Sequence, residues 1–342
     1  MTRSGAWFTR FAGCLPLLWA HVHAATLYVS DERGGDVVIV DAVSGTVSGR
    51  VAVGKRPRGM QLSPDGKYLY VALSGSAIAG PGVDESTLPA PERRYDGIGV
   101  IDLKTRRLLK TLPSGTDPET LAVAPDGRTI YVANEDAMQL SAIDVASGKL
   151  RASVRIGVEP EGVAVRPDGK VVYVTCEGTN TVYAIDTATM KVIGTIPTRP
   201  RPRALAFARD GKTGFITAEV GAAITVFDTG TQQVLRTIQL AAESDTLMRP
   251  MGIAVSANGQ NLFVTTGRGA ALIEVDIATF TVRRRIDAVG QRPWGLALNT
   301  DSTKAYTANG PSGDISVVDL VGGRVDKRVP VGESPWGIVY KK

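Results

Sequence analysis

Short runs in which apolar and polar residues alternate recur along the whole chain. In the segment 172–214, the runs VYVT, TVYAID, KVIGTI and RALAFA follow one another, and polar turns separate them. A period of two residues is typical of β-strands that bury one face. No long amphipathic helix fits the pattern anywhere. The sequence therefore predicts an all-β protein.

This four-strand unit recurs seven times. Its copies open with pairs such as Tyr28-Val29, Tyr131-Val132 and Phe215-Ile216, at intervals of 42 to 61 residues. A period of about 40 to 45 residues is expected of propeller blades. If the RALAFA-type run is taken as the innermost, first strand of each blade, the first strand of the propeller, 26–30, is a second strand of a blade. The last strand, 336–341, is an inner strand without the other three strands of its blade after it. We predict a seven-bladed β-propeller of four-stranded antiparallel blades, closed by pairing of the N- and C-terminal strands in one blade.

An aspartate closes the second run of every copy, as Asp144 and Asp186 do. Aspartate accepts hydrogen bonds from nearby backbone N–H groups and so favours turns. Seven aspartates at one repeat position are therefore predicted to form turns rather than active sites.

Several segments resemble a known repeat family. YVANEDAMQLSAIDVASGKL, YVTCEGTNTVYAIDTATMKVIGTI and the turns SPDG, APDG and RPDG resemble the YVTN-family β-propeller repeat. GVEPEGVAVRPDG, RPRPRALA and GQRPWGLAL further resemble the periplasmic propellers associated with PQQ-dependent alcohol catabolism. The resemblance implies the propeller fold and a quinoprotein context. It carries over no established catalytic residues, because propellers host enzymes, binding modules and adhesins alike.

Residues 1–24 predict a secretory signal peptide. Arg3 and Arg10 precede the apolar run of FAGCLPLLWA, and small residues precede a cleavage site after Ala24. The predicted propeller, residues 25–342, is then periplasmic or secreted and has no transmembrane segment. It retains no histidine and a single cysteine, Cys176. This composition excludes a histidine-based triad, a histidine-ligated metal and an internal disulfide in the mature chain.

The charge of the chain does not indicate nucleic-acid binding. The formal net charge is +5, from 39 Lys and Arg against 34 Asp and Glu. These residues are spread along the chain, without the basic stripe that phosphate tracking requires.

Candidate binding residues occur at one repeat position, directly after the proline that precedes each inner strand. Propeller geometry places this position around one mouth of the central channel. Its aromatic, arginine and carboxylate side chains predict a recognition surface, with stacking area and charged groups for a ligand. We call these residues the ring: Trp336, Arg58, Glu119, Glu161, Arg203, Met251 and Trp294.

A long Gly- and Pro-rich loop, residues 74–97, is inserted between the second and third strands of its blade, on the same face as the ring. Such loops often cover or contact a binding site. The sequence predicts that Glu92, Arg93, Arg94 and Tyr95 of this loop belong to the ligand- or partner-binding rim.

The sequence favours a binding module over an enzyme. The resemblance implies a non-catalytic periplasmic module, accessory to a PQQ (quinoprotein)-dependent oxidation or uptake system. Its partner would be a protein, such as a quinoprotein dehydrogenase or a transporter component, or a small anionic or planar molecule such as PQQ. One alternative is a lactonase-like or other carboxylate- or metal-dependent propeller enzyme, with Glu119 and Glu161 as candidate Ca²⁺ ligands. A second alternative is a surface scaffold or adhesin.

Overall fold

The computed structural model describes residue 1 and residues 25–78, 83–84, 87–241 and 247–342. Residues 2–24 of the predicted signal peptide lie outside the described residues. No helix in the described part of the chain is long and apolar enough to cross a membrane.

The described residues form seven four-stranded antiparallel sheets, which confirms the predicted propeller. Each sheet is one blade, and its strands are given from the channel outward. Blade 1 comprises β28 (Pro335–Lys341), β1 (Thr26–Asp31), β2 (Asp36–Asp41) and β3 (Val47–Ala52). Blade 2 comprises β4 (Pro57–Leu62), β5 (Tyr68–Leu73), β6 (Gly97–Asp102) and β7 (Arg107–Leu112). Blade 3 comprises β8 (Pro118–Val123), β9 (Thr129–Asn134), β10 (Gln139–Asp144) and β11 (Lys149–Arg155).

The remaining four blades repeat this arrangement. Blade 4 comprises β12 (Pro160–Val165), β13 (Val171–Cys176), β14 (Thr181–Asp186) and β15 (Lys191–Pro197). Blade 5 comprises β16 (Pro202–Phe207), β17 (Thr213–Ala218), β18 (Ala223–Asp228) and β19 (Val234–Gln239). Blade 6 comprises β20 (Ile253–Val255), β21 (Asn261–Thr265), β22 (Leu272–Asp276) and β23 (Thr281–Ile286). Blade 7 comprises β24 (Pro293–Leu298), β25 (Lys304–Asn309), β26 (Asp314–Asp319) and β27 (Arg324–Pro330). Short 3₁₀ turns lie at Arg93–Tyr95, Gly267–Gly269 and Gly310–Ser312.

The hydrophobic core lies between neighbouring blades. Tyr28 and Ile39 of blade 1, for example, pack with Leu69 and Val71 of blade 2 in one buried cluster. Alternate side chains of the middle strands face opposite neighbours, so these strands are buried on both faces. The outer strands are mostly exposed, as in β15. Burial of the middle strands explains their apolar sequence.

The two ends of the chain close the ring in blade 1. Strand β1 pairs with β2 on one side and with β28 on the other, and Val29 lies opposite Ile338. At the end of this pairing, the carboxylate of Asp31 accepts hydrogen bonds from the backbone N–H groups of Glu333 and Ser334. The predicted closure is thus confirmed.

The repeated aspartates form turns, as predicted. The Oδ1 atom of Asp144 accepts hydrogen bonds from the backbone N–H and the hydroxyl of Ser147, at 2.8 and 2.6 Å. These hydrogen bonds stabilise the carboxylate and lower the pKa of Asp144. Asp186 makes the same two contacts with Thr189.

In six of the seven blades, a bulge at the start of the inner strand fixes the ring residue. In blade 4, Glu161 and Gly162 lie opposite the single residue Thr175. The backbone N–H of Gly162 donates to the Thr175 hydroxyl at 2.7 Å, and that hydroxyl donates to the carbonyl of Arg203 in blade 5 at 2.8 Å. A Cβ atom on Gly162 would lie 2.1 Å from the same carbonyl, so glycine permits this close approach. The backbones of adjacent ring residues are thereby held together.

Candidate functional site

The structure brings the seven ring residues together at one mouth of the channel. They line two neighbouring cavities, an inner one of about 250 Å³ and an outer one of about 510 Å³. Four of them line both cavities: Glu161, Arg203, Trp294 and Trp336. Arg58 and Glu119 line only the outer cavity, and Met251 lines only the inner one.

The inserted loop borders the outer cavity, but through other residues than the sequence predicts. Its segments 76–78 and 88–91 line the cavity. Glu92 pairs with Lys55 and Arg94, and Arg93 pairs with Asp96 and Asp136. The ring of Tyr95 lies against Lys55 and Arg94, each 4.8 Å from its centroid. Glu92, Arg93 and Tyr95 therefore anchor the loop to residues outside it, whereas Arg94 contacts Glu92 and Tyr95 within the loop.

Arg58 lies at the centre of one ionic network. Its side chain is 1% exposed, and its Nη2 atom lies 2.5 Å from Oδ1 of Asp117. It also pairs with Glu119, and its Nη1 lies 3.9 Å from a carboxylate oxygen of Glu135. Burial alone would raise the pKa of Asp117, but the positive charges of Arg58 and Arg56 outweigh burial and lower it. Asp117 is thus held ionised beside the arginines.

Arg203 lies at the centre of a second network. It pairs with Glu161 and Glu177, and its Nε lies 2.7 Å from a carboxylate oxygen of Glu219. Burial raises the pKa of Glu177 to about 9. The negative charge of Glu161 also raises this pKa, whereas the positive charge of Arg203 lowers it. Two carboxyl groups that share one arginine in a buried site cannot both ionise easily. Burial and the neighbouring carboxylate therefore favour the protonated form of Glu177.

Glu135 combines a raised pKa with access to the outer cavity. Its side chain is 28% exposed and lines that cavity. Burial raises its pKa to about 8, Arg58 opposes the rise, and the charges of Glu161 and Asp117 reinforce it. A carboxyl group whose pKa lies near neutrality can both accept and return a proton under physiological conditions.

The aromatic wall of the mouth is formed by Trp294 and Trp336. Their rings are stacked with centroids 5.7 Å apart and planes 23° apart. The guanidinium groups of Arg203 and Arg292 lie 5.1 and 4.8 Å from the Trp294 centroid. The space between the two rings is too narrow for the predicted planar cofactor, PQQ, to enter, so any ligand contacts this wall from the cavity side.

The sequence interpretation missed two sets of site residues. The first is a set of glutamates one residue beyond the second strand: Glu32, Glu135, Glu177 and Glu219. The second is the residue before the ring proline, which is charged and lines the outer cavity in four blades: Arg56, Asp117, Arg201 and Arg292. The recurrence of glutamate in YVSDE, YVANE, YVTCE and FITAE, and of a charged residue before proline, was a signal for both sets.

The predicted Ca²⁺ ligands do not fit a metal site. Glu119 and Glu161 are paired with Arg58 and Arg203, respectively. Within the described residues, no group of three or more His, Cys, Asp or Glu side chains is placed to hold a metal ion. The donor set at the mouth therefore suits ion pairing and proton transfer better than Ca²⁺ coordination.

Two sequence comparisons give partial matches. Residues 91–235, less than half of the chain, match the Cytochrome D1 heme domain family. A stretch of 108 residues is 30% identical to the antigen Lp49 of Leptospira interrogans, covering 32% of this chain and 23% of that protein. The match thus spans about a quarter of the length of that curated relative.

The matched segment lacks the histidine and the accessible thiolate that commonly hold a haem iron. Haem iron is usually held by histidine, thiolate, methionine or tyrosine side chains. Segment 91–235 contains no histidine, and its cysteine, Cys176, is completely buried in an apolar cluster. Burial raises the pKa of the Cys176 thiol to about 12, which keeps it protonated.

Solved structures similar to this chain include lactonase propellers. The periplasmic gluconolactonase of Pseudomonas aeruginosa is 21% identical, with a TM-score of 0.73 over 93% of this chain and 99% of that one. A candidate 6-phosphogluconolactonase of Bacteroides fragilis is 18% identical, with a TM-score of 0.73 over 93% of this chain and 98% of that one. At these identities the likeness establishes the fold, and the activities named are those of the other proteins.

The predicted non-catalytic module is contradicted by these comparisons. Solved structures that align with 93% of this chain carry lactonase names, so the comparisons support the lactonase-like alternative better. The absence of histidine from the predicted mature chain weighed against catalysis at the sequence level. The raised pKa of Glu135 supplies a proton acceptor that does not require histidine.

Proposed function

We propose that the protein hydrolyses a lactone in the outer cavity. The single observation that carries this proposal is Glu135, a cavity-lining carboxyl group whose pKa is raised to about 8 beside Arg58. Ester hydrolysis requires a group that takes a proton from water and then gives one to the leaving oxygen.

Glu135 performs both proton transfers in the proposed reaction. Its carboxylate accepts a proton from a water molecule, and the water oxygen attacks the lactone carbonyl carbon. The tetrahedral intermediate then collapses, the ring C–O bond breaks, and protonated Glu135 returns the proton to the leaving alkoxide. The product is the open-chain hydroxy acid, and Glu135 ends in its starting state.

Positive charge beside Glu135 supports the same step. Arg56 lines the cavity and lies 2.9 Å from Glu32, and Arg58 is fixed by its buried ion pairs. Preorganised cations stabilise the negative charge that develops on the carbonyl oxygen. Because Arg58 is held by Asp117 and Glu119, it does not have to be ordered when substrate binds.

The tryptophan wall favours a ring-shaped substrate. Trp294 and Trp336 present apolar area to a cavity of about 510 Å³ that is otherwise lined by charged and polar groups. Cavities that combine aromatic walls with a few convergent polar groups are typical small-molecule sites. A sugar lactone has an apolar ring face and polar edges that match this arrangement. The lactonase names of similar propellers give independent support.

The sequence predictions about export and repeat family suggest where the proposed enzyme acts. We propose that the enzyme acts in the periplasm after removal of residues 1–24, and that its repeats are of the YVTN type. A link to PQQ-dependent oxidation is compatible with this chemistry, because quinoprotein oxidation of cyclic sugars yields lactones. A protein partner of that system remains a prediction of the resemblance.

The test is hydrolysis of glucono-1,5-lactone by the purified chain, followed with a pH indicator and corrected for the uncatalysed rate. Glu135→Gln keeps the shape of the side chain but removes its proton acceptor, so kcat should fall by about 100- to 10,000-fold. The wild-type rate should rise with pH through an apparent pKa near 8.

Glu159→Gln is the matched control, since Glu159 is an exposed carboxylate near the same mouth. It should retain the wild-type rate. Circular dichroism and thermal unfolding of both variants separate loss of chemistry from loss of folding. Equal rates for Glu135→Gln and wild type, or no hydrolysis of any lactone in a panel of ring sizes, would refute the proposal.

A further inference from the structure

Arg292 differs from the other arginines at its repeat position. In blade 2, Nε of Arg56 lies 2.9 Å from Glu32, the glutamate that follows β1 of the preceding blade. In blade 5, Arg201 pairs with the equivalent glutamate of its preceding blade, Glu177. In these blades, the residue before the proline of the inner strand thus pairs with the residue that follows the second strand of the preceding blade.

Glycine replaces this partner on both sides of Arg292. The equivalent position in the preceding blade is Gly267, and in its own blade it is Gly310. In the part of the chain that the structure describes, Arg292 forms no ion pair with a carboxylate. The acid that acts on it most strongly is Glu219, which lies 2.7 Å from Arg203 and 3.5 Å from Arg201. The positive charge of Arg292 is therefore uncompensated locally.

The guanidinium of Arg292 is nevertheless held in place. It lies 4.8 Å from the centroid of Trp294, and it lines the outer cavity. Its backbone has a φ of 50°, in the left-handed region that few non-glycine residues adopt. Arg203 and Arg201 add further positive charge nearby. A fixed, half-buried cation without a carboxylate is what an anion site requires.

We propose that Arg292 binds an anionic substituent, a carboxylate or a phosphate, of the molecule that occupies the outer cavity. The proposal rests on the proposed function only for the identity of that molecule as a lactone. Arg292 lies in blade 7, whereas Glu135 and Arg58 lie in blades 3 and 2, so the anion site and the proposed reacting groups lie on different blades around one cavity. The substrate would be an acidic or phosphorylated sugar lactone that spans the mouth.

Tryptophan fluorescence reports directly on this site. Trp294 and Trp336 are the tryptophans of residues 25–342, and both line the outer cavity. Glucose 6-phosphate and glucuronate serve as phosphate and carboxylate probes, with glucose as the neutral control. We expect at least one anionic probe to change the fluorescence at concentrations where glucose does not, and its affinity to fall as salt is raised.

Two substitutions at separate positions test the assignment. Arg292→Gln should weaken the anionic probe by roughly 10- to 100-fold, since hydrogen bonds to a charged group are lost, and Arg292→Lys should restore part of the affinity. Gly310→Glu supplies a carboxylate beside Arg292 and should weaken the probe without removing the arginine. A Cβ on Gly310 meets its nearest atoms at 3.7 Å or more, so the change is sterically allowed. Gly310→Gln is the matched control and should bind like wild type.

The outcomes separate this inference from the hydrolase proposal. Unchanged probe affinity in Arg292→Gln, or equal affinities in Gly310→Glu and Gly310→Gln, would overturn the anion site even if lactones are hydrolysed. Arg292-dependent probe binding without any lactone hydrolysis would uphold the anion site and reject the reaction. When both hold, Arg292→Gln should raise KM for an anionic lactone by a larger factor than KM for a neutral lactone.

Discussion

The hydroxyl of Thr175 offers a sharp test of how the ring is held together. Thr175 is completely buried and bridges two blades, accepting from the Gly162 N–H at 2.7 Å and donating to the Arg203 carbonyl at 2.8 Å. Thr175→Val keeps the size of the side chain but removes both hydrogen bonds. Two buried backbone groups then lose a partner, at about 1–3 kcal/mol each, so the free energy of unfolding should fall by about 2–6 kcal/mol.

Thr225 provides the control within the same fold. It is 1% exposed, and its hydroxyl has no hydrogen-bond partner among the described residues. Thr225→Val therefore removes a buried polar atom without breaking a bond, and stability should stay unchanged or rise by up to about 1 kcal/mol. Urea unfolding followed by far-UV circular dichroism measures both variants. Equal destabilisation by the two substitutions would refute the claim that the Thr175 hydroxyl joins the blades.

Two further predictions follow from closure and from the buried carboxyl groups. Deleting residues 333–342 removes β28, so the protein should be unfolded or aggregated, whereas deleting Lys342 alone should leave a soluble, cooperatively unfolding domain. The folded-state pKa of Glu177, about 9, exceeds its ordinary value of 4.5, so the folded protein binds the extra proton. The contribution of Glu177 to the free energy of unfolding should therefore be largest below pH 4.5 and decline as the pH rises to 9. Urea unfolding at several pH values should show a smaller decline for Glu177→Gln than for the wild type. An equal decline of the unfolding free energy with pH in both proteins would contradict this reasoning.

The sequence predicted the fold well because the relevant pattern is local. Alternation within each run and the spacing of the seven copies are set by residues close together in the chain. The positions of Trp294, Trp336 and Arg203 at the mouth followed from the same repeat, since identical repeat positions occupy equivalent places around the axis. The order of strands within the repeat also predicted correctly that β28 completes blade 1.

The chemistry of the site could not be predicted in the same way. The pKa of Glu135 depends on Arg58 in another blade and on burial that only the assembled mouth creates. The loop residue Arg93 is chemically suited to ligand binding, but it lies beside Asp96 and Asp136, which the sequence could not place. Ion pairs between consecutive blades join residues that are distant in the chain, so they cannot be predicted from any short sequence motif.

The position of the chain ends has a practical consequence for handling the protein. Thr26 lies opposite Lys341, whereas Asp31 lies opposite Pro335 at the mouth. Both ends of the folded domain therefore emerge from the face opposite the cavity. An affinity tag, fluorophore or immobilising linker fused to either end would point away from the substrate, so a surface-coupled sensor could present every molecule with its entrance toward the solution.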